Sequence, residues 1–341
     1  MKPARGSLSF GLALSVLAAW AFATTTPQTA AHENHAQQDA AARELLANGQ
    51  VALAIRALTQ QTRSEPQDAE AFHLLSLAYY ELEQWDRSIH AAESAVALNP
   101  QRSEYHLWLG RAYGNKAEHS NWFLALMLAR KTRAEFEKAV ALDGENFDAR
   151  SDLAEYYLEA PAFLGGGDNK AREEARALDM HDAASSHYVQ ARVAEKSGDA
   201  KLAEQEYREA IKVSSEPGGE WLNLAAFYRH QKQYPEMEEA IKHATAYEKK
   251  GHSLLFDAAD LLYRAGRNFS GAAQLLRAYL SSHQPATDLQ SPSSFQAHYL
   301  LGEIMEKQGD KPSAIAEYQA ALQLAGDYRP ARQALERVSR R

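Results

Sequence analysis

The sequence predicts an all-α protein made by stacking pairs of antiparallel helices, and three observations carry that prediction. Pro66 and Pro100 lie 34 residues apart, and each closes a helix-forming stretch, "RSEP" and "ALNP". Small and large residues then recur at fixed places downstream, as in "HLWLGRAY" (106–113) and "WLNLAAFY" (221–228). Finally, 341 residues that are 45% apolar contain no cysteine. Stability must therefore come from packing alone, without disulfides or a thiolate metal site.

Taken in order, the chain opens with Lys2 and Arg5 ahead of the apolar run Leu8 to Ala23, which ends in Ala21-Phe22-Ala23. Small residues at the two positions a signal peptidase reads predict a cleaved secretory leader over residues 1–23. Sixteen residues broken by Ser9, Gly11 and Ser15 fall short of the ~20 that a spanning helix needs. The expectation is an exported, periplasmic or otherwise extracytoplasmic protein with no stable membrane insertion once the leader is gone. Loss of Lys2 and Arg5 takes the formal charge from -8 to -10. Such a charge speaks against nucleic acid as a partner and gives an anionic membrane little to attract. Residues 24–38, "TTTPQTAAHENHAQQ", are polar and lack apolar periodicity, which predicts a flexible lead-in.

From residue 39 to 341 the chain resembles the tetratricopeptide repeat family. Leu109, Gly110 and Tyr113 match the L-G-x-x-Y of that family's first helix, and Trp221, Leu224, Ala225 and Tyr228 match W-x-x-L-G-x-x-Y with alanine for glycine. The second-helix pattern A-x-x-x-F-x-x-A is carried by Ala203, Tyr207 and Ala210, by Ala314, Tyr318 and Ala321, and by Phe136 with Ala139. Small residues let neighbouring helices approach, and the large ones fill the space between repeats. Gly198 and Gly309 mark turns between paired helices. The resemblance implies a right-handed superhelical solenoid of about eight units, starting near His35, Ala69, Ser103, Phe147, Ala184, Gly218, Ser253 and Phe295. The closing "DYRPARQALERVSRR" reads as a solvating helix that caps the apolar end. Little chain is left for a catalytic domain, which needs on the order of 100 residues.

Two units exceed the family period. About ten extra residues fall within 114–130 and about five within 160–167, predicting enlarged turns whose surface presents Trp122, Phe123, Phe163, Leu164, Gly165, Gly166 and Gly167. Adjacent apolar-tipped insertions of this kind resemble those of exported bacterial repeat proteins of unassigned role. The three glycines precede a helix, where amides attract anions. Asp168 at the capping position would satisfy those donors itself, and neither a Gly-Lys-Ser/Thr ending nor a preceding strand is present, so the stretch predicts an elbow rather than a phosphate loop.

The thirteen histidines predict no metal site. His32 and His35 lie in the polar lead-in, and His106 and His298 fall at the fourth position of their repeats, where a core side chain packs. Asp257 and Asp260 are a carboxylate pair at ordinary helix spacing, and no nucleophile, base and acid come together. No catalytic residue and no cofactor is expected. By resemblance, the first helices form a concave groove lined by Tyr80, Arg111, Glu155, Tyr188, Arg192, Arg229, Arg264, Tyr299 and Glu303. Four arginines there imply an acidic or carboxylate-bearing protein or extended peptide as ligand, unless neighbouring glutamates pair with them. The family's carboxylate clamp is not reproduced, its positions holding His73, Leu107 and Tyr188. The expected function is a non-enzymatic adaptor or scaffold of the cell envelope. An enzyme or small-anion binder using the insertions, or a purely structural spacer, are the alternatives.

Overall fold

The computed structural model describes residues 27–248, 253–282 and 291–340, so the leader predicted over 1–23 lies outside the described residues. The described residues form helices and no strand. The pairs in order are α1 (Pro27–Ala47) with α2 (Val51–Ser64), α3 (Ala69–Glu81) with α4 (Trp85–Leu98), and α5 (Ser103–Glu118) with α6 (Trp122–Leu142). Then come α7 (Phe147–Glu159) with α8 (Asp168–Leu178), α9 (Ala183–Lys196) with α10 (Ala200–Val213), and α11 (Gly218–His230) with α12 (Tyr234–Thr245). The last pairs are α13 (Leu254–Ala265) with α14 (Phe269–Ser281) and α15 (Ser294–Gln308) with α16 (Lys311–Leu324), followed by α17 (Arg329–Ser339).

Local chemistry explains the punctuation. Asp68, Asn146, Asp182, Asp199 and Asp310 each precede a helix and accept a hydrogen bond from an amide in its first turn. Gly198 and Gly309 close helices at φ +81° and +82°, in the left-handed region that favours glycine. Packing follows the size pattern. A Cβ on Gly110 would stand 2.5 Å from the Phe136 ring, and one on Gly302 would stand 2.5 Å from the Tyr318 ring, so glycine is what lets the second-helix aromatic cross the first helix.

The fourth position of several first helices pairs with a carboxylate on the second helix of the same unit. His187 meets Glu206 and His298 meets Glu317, both at 2.7 Å and both 19 residues apart. His106 meets Glu135 at 2.6 Å across 29 residues, and Arg150 meets Glu174 at 2.7 Å across 24. The third and fourth units thus hold ten and five extra residues between equivalent contacts.

Those ten residues do not make an enlarged turn over 114–130. They lengthen α5 and α6 together and leave a turn of only residues 119–121, because Asn121 caps α6 through the Leu124 amide and the added residues are strong helix formers. The five do make a loop, residues 160–167, containing a 3-10 turn at Ala162–Leu164. The lead-in also differs from expectation, since α1 is helical from Pro27, its far end held by Ala42 and Leu46 packed into the core.

Successive first helices, from α3 through α15, touch one another and form the inner wall. The array then closes on itself. Leu75, Leu82 and Leu46 of the first units share one apolar cluster with Phe295, Ala325, Tyr328 and Ala331 of the last. Tyr328 donates its hydroxyl to Glu83 at 3.1 Å, Ser293 hydrogen-bonds Glu81, and the Gln84 amide reaches the Asp327 carbonyl at 3.5 Å. The final helix thus caps the last pair with Ala334 and Val338, exposes Arg332, Glu336 and Arg337 to water, and through Ala331 also joins the seam with the first units.

Candidate functional site

The inner wall of the closed array carries a half-open cavity of about 720 Å³. Five of the nine predicted groove residues line it: Tyr80, Arg111, Arg264, Tyr299 and Glu303. Sequence reasoning missed its other principal walls, Trp85, Trp108, Asn115 and Tyr263. Trp85 starts a second helix, outside the first-helix positions from which the groove was read, and packs on Tyr80, while Trp108 sits between positions 107 and 111 and could have been flagged by its size alone.

An aromatic corner stands at the cavity's edge. The Tyr80 ring meets Trp85 at 5.1 Å and Trp108 at 5.3 Å, both edge-on, the geometry ring quadrupoles favour. Asn115 donates to the Tyr80 hydroxyl at 2.6 Å and to the Arg111 carbonyl at 3.1 Å, which holds the corner in place. Opposite, Tyr299 and Tyr263 hydrogen-bond Glu303, whose carboxyl burial raises above its ordinary range.

The arginines are already engaged. Arg111 lies over the Trp108 ring at 4.8 Å and donates Nε to Asp152 at 2.6 Å, with Asp148 at 3.8 Å. Arg192 grips both oxygens of Glu155, at 3.0 and 3.2 Å, and adds Glu159 at 2.8 Å, while Tyr188 donates to Glu155 at 2.7 Å. Arg264 pairs with Asp260 at 2.6 Å. Arg229 shares a contact with His230 at 2.9 Å, and its Nε is buried without a hydrogen-bond partner. Because Asp152 and Glu155 both belong to α7, the first helices α5, α7 and α9 are stitched side by side. His230 continues the ladder from α11 to Glu195 of α9 at 2.7 Å. The cavity itself carries four carboxylates, Glu81, Glu83, Asp260 and Glu303, against the two guanidiniums of Arg111 and Arg264.

The glycine elbow is closed to anions. The amides of Gly165, Gly166 and Gly167 donate to the carbonyls of Ala162, Pro161 and Tyr157 at 2.9, 3.2 and 2.8 Å. Asp168 does not cap the helix: Gly167 occupies that position, and the Asp168 carboxylate takes the Lys196 ammonium at 2.9 Å. Gly166 is required by close approach, since a Cβ there would stand 1.7 Å from the Ala160 carbonyl oxygen. Of the predicted insertion surface, Trp122, Phe123 and Phe163 are exposed, whereas Leu164 is buried.

His106 is buried and held by Glu135 and the Pro100 carbonyl. His35 is not a solvated tail residue: it pairs with Glu65, and Asp68 brings the three ligand atoms within 4.8 Å of one another. The His32 side chain lies outside the described residues. Asp257 accepts from Ser253 at 2.5 Å with its carboxyl raised by burial to about 6, and Asp260 faces Arg264, so these two serve separate contacts.

Comparison with known proteins follows the helix pairs. Tetratricopeptide repeat profiles match residues 40–83, 73–117 and 256–329, and a second one matches 184–217. No curated protein matches the chain. Among solved structures, a thermophilic repeat protein of Thermus thermophilus is 17% identical over 57% of this chain and 98% of its own, with a TM-score of 0.47. A tetratricopeptide repeat protein of Parabacteroides merdae is 12% identical over 90% of this chain and 99% of its own, with a TM-score of 0.45.

Proposed function

The chain belongs to the tetratricopeptide repeat family, whose members are in general scaffolds for protein interaction, and from that premise we propose that it holds a segment of another protein in the cavity of its closed array. The observation that carries this reading is the aromatic corner of Tyr80, Trp85 and Trp108 set into the concave wall. Aromatic side chains supply large contact area at low entropic cost and anchor most interfaces. Arg111 and Arg192 are spent on joining neighbouring repeats, Arg264 pairs with Asp260 on its own helix, and carboxylates outnumber guanidiniums in the cavity. A segment bearing aromatic and basic side chains therefore suits the cavity better than the acidic one expected from the arginine count. The role is non-catalytic and extracytoplasmic, the latter resting on Lys2, Arg5 and the apolar run Leu8 to Ala23.

A photo-crosslinking residue placed at Trp85 in the producing cells tests it, with the same residue at Leu202, an exposed position of α10, as control. Capture of one discrete species from position 85 and not from 202, in the extracytoplasmic fraction, is the expected outcome. Equal capture from both positions would discard the cavity as the binding site.

A further inference from the structure

The lengthened α6 has a tip that takes no part in the cavity. Leu124 and Leu128 turn inward, onto a cluster with Ile89, Leu109 and Tyr113. Trp122, Phe123 and Met127 turn outward and are 63%, 66% and 59% exposed, with the two rings stacked at 3.6 Å. Further along α6, at Arg133, stands the elbow, whose Phe163 is 70% exposed. Arg133 of α6 ties the two together by donating Nη1 to the Leu164 carbonyl at 3.0 Å, and Tyr156 donates to the same oxygen at 3.0 Å. Exposed large apolar side chains gathered in this way mark an interaction surface.

Charge says what the surface meets. Residues 119–134, "HSNWFLALMLARKTRA", contain no aspartate or glutamate and carry Arg130, Lys131 and Arg133, within a chain of formal charge -8. Phe123, Met127 and Arg130 follow the i, i+4, i+7 spacing that puts them on one helix face, and Arg130 and Lys131 are exposed. Lys131 lies 3.7 Å from Glu93 and 3.1 Å from the Tyr113 hydroxyl, and Arg133 lies 3.5 Å from Glu137 while holding the Leu164 carbonyl, so Arg130 is the cation that shares the outward face with Phe123 and Met127. An apolar, tryptophan-bearing tip backed by a basic collar is the chemistry of an interfacial helix: rings and methionine enter the acyl boundary while guanidinium and ammonium meet the headgroup phosphates. No helix among the described residues is long and apolar enough to cross a membrane. The net charge disfavours an anionic bilayer for the molecule as a whole, and the tip reverses that sign locally.

We propose that the outward face of the α6 tip, Trp122, Phe123, Met127 and Arg130, docks onto the anionic headgroups of a phospholipid membrane. The absence of cysteine makes the test direct. Met127→Cys in the full chain carries a single environment-sensitive dye, with Val213→Cys, on exposed α10, as the control site. Vesicles of phosphatidylglycerol and phosphatidylethanolamine (3:7) shift the dye at 127 to the blue and leave the dye at 213 unchanged. Vesicles of phosphatidylcholine shift it at least tenfold less at equal lipid. Trp122→Ser together with Phe123→Ser lowers apparent affinity tenfold or more, and Arg130→Glu with Lys131→Glu abolishes the preference for anionic lipid. Trp122, Phe123 and Arg130 face water, whereas Lys131 also touches Glu93 and Tyr113, so circular dichroism of each variant should show an unchanged fold before its affinity is read. An unshifted dye at 127, or an equal shift at 213, overturns the proposal. So does self-association that the Trp122/Phe123 variant abolishes while vesicles have no effect, which would assign the face to a second copy of the chain.

Discussion

The inner wall is joined in two chemically different ways. From α5 to α9 every carboxylate of the ladder meets a guanidinium: Asp152 meets Arg111, and Glu155 meets Arg192 with both oxygens. At the seam between the first and last units the carboxylates meet only hydroxyls, Glu81 with Ser293 and Glu83 with Tyr328. Glu83 also sits at φ +56°, in the left-handed region, as Gly198, Lys232 and Gly309 do in the equivalent turns of other units. Burial pushes the Glu81 carboxyl up to about 8, and the Ser293 hydroxyl pulls it only partly back. The ladder is thus charge-compensated, while the seam rests on apolar packing around one carboxyl held best in its neutral form.

The largest test of that contrast is Phe295→Ala, which empties a fully buried site in the seam cluster. A loss of about 3–5 kcal/mol is expected locally. Amide exchange should rise in α1, α2 and α17 while α7 and α9 keep their protection, and small-angle scattering should report an opened array. If exchange rises in α15 alone, the seam is not a working interface.

Next in size is Arg192→Ala, which leaves Glu155 without its guanidinium. Both groups are partly exposed, at 22% and 29%, so about 1–2 kcal/mol is expected rather than the larger penalty of a fully buried pair. Faster exchange should be confined to α7 and α9. Spread of the effect into α17 would mean that ladder and seam are one cooperative unit.

The smallest effect is a pH dependence. Because the Glu81 pKa is raised in the closed array, closure is favoured in full below the ordinary carboxyl value of 4.5 and weakens as pH rises through about 8. Between pH 6 and pH 7 the seam should lose roughly 1 kcal/mol, read as faster exchange in α17. Glu81→Gln should flatten that profile. An unchanged slope in the variant would place the titrating group elsewhere.

Much of the architecture was legible from residues alone. First helices at Ala69, Ser103, Phe147 and Gly218 start where the anchors put them, because the size pattern at Gly110 and Phe136, or Gly302 and Tyr318, reflects a contact that must recur in every unit. The elbow at Gly165 to Gly167 was legible too, since a phosphate loop needs free amides and residues this chain lacks. The site was less legible. Arg111, Arg192 and Arg264 could be named as groove residues, yet whether a guanidinium faces a ligand or a neighbour's carboxylate depends on contacts between units. The form of the ten-residue insertion was hidden for a related reason: its helix formers extend two helices as readily as they fill a loop, and only the Asn121 cap shows where the chain turned.

The sequence by itself determined that helices pair, in what order, and that there are about eight pairs, because each pair leaves apolar surface that its neighbour along the chain must cover, and such short-range demands are written in spacing. Only the tertiary structure decided that the array closes, that Glu81, Glu83, Ser293 and Tyr328 meet, and that Trp85 and Trp108 share a cavity with Tyr299. Those contacts join residues more than 200 positions apart, and they follow from small rotations accumulated over all the repeats, which no single stretch of sequence encodes.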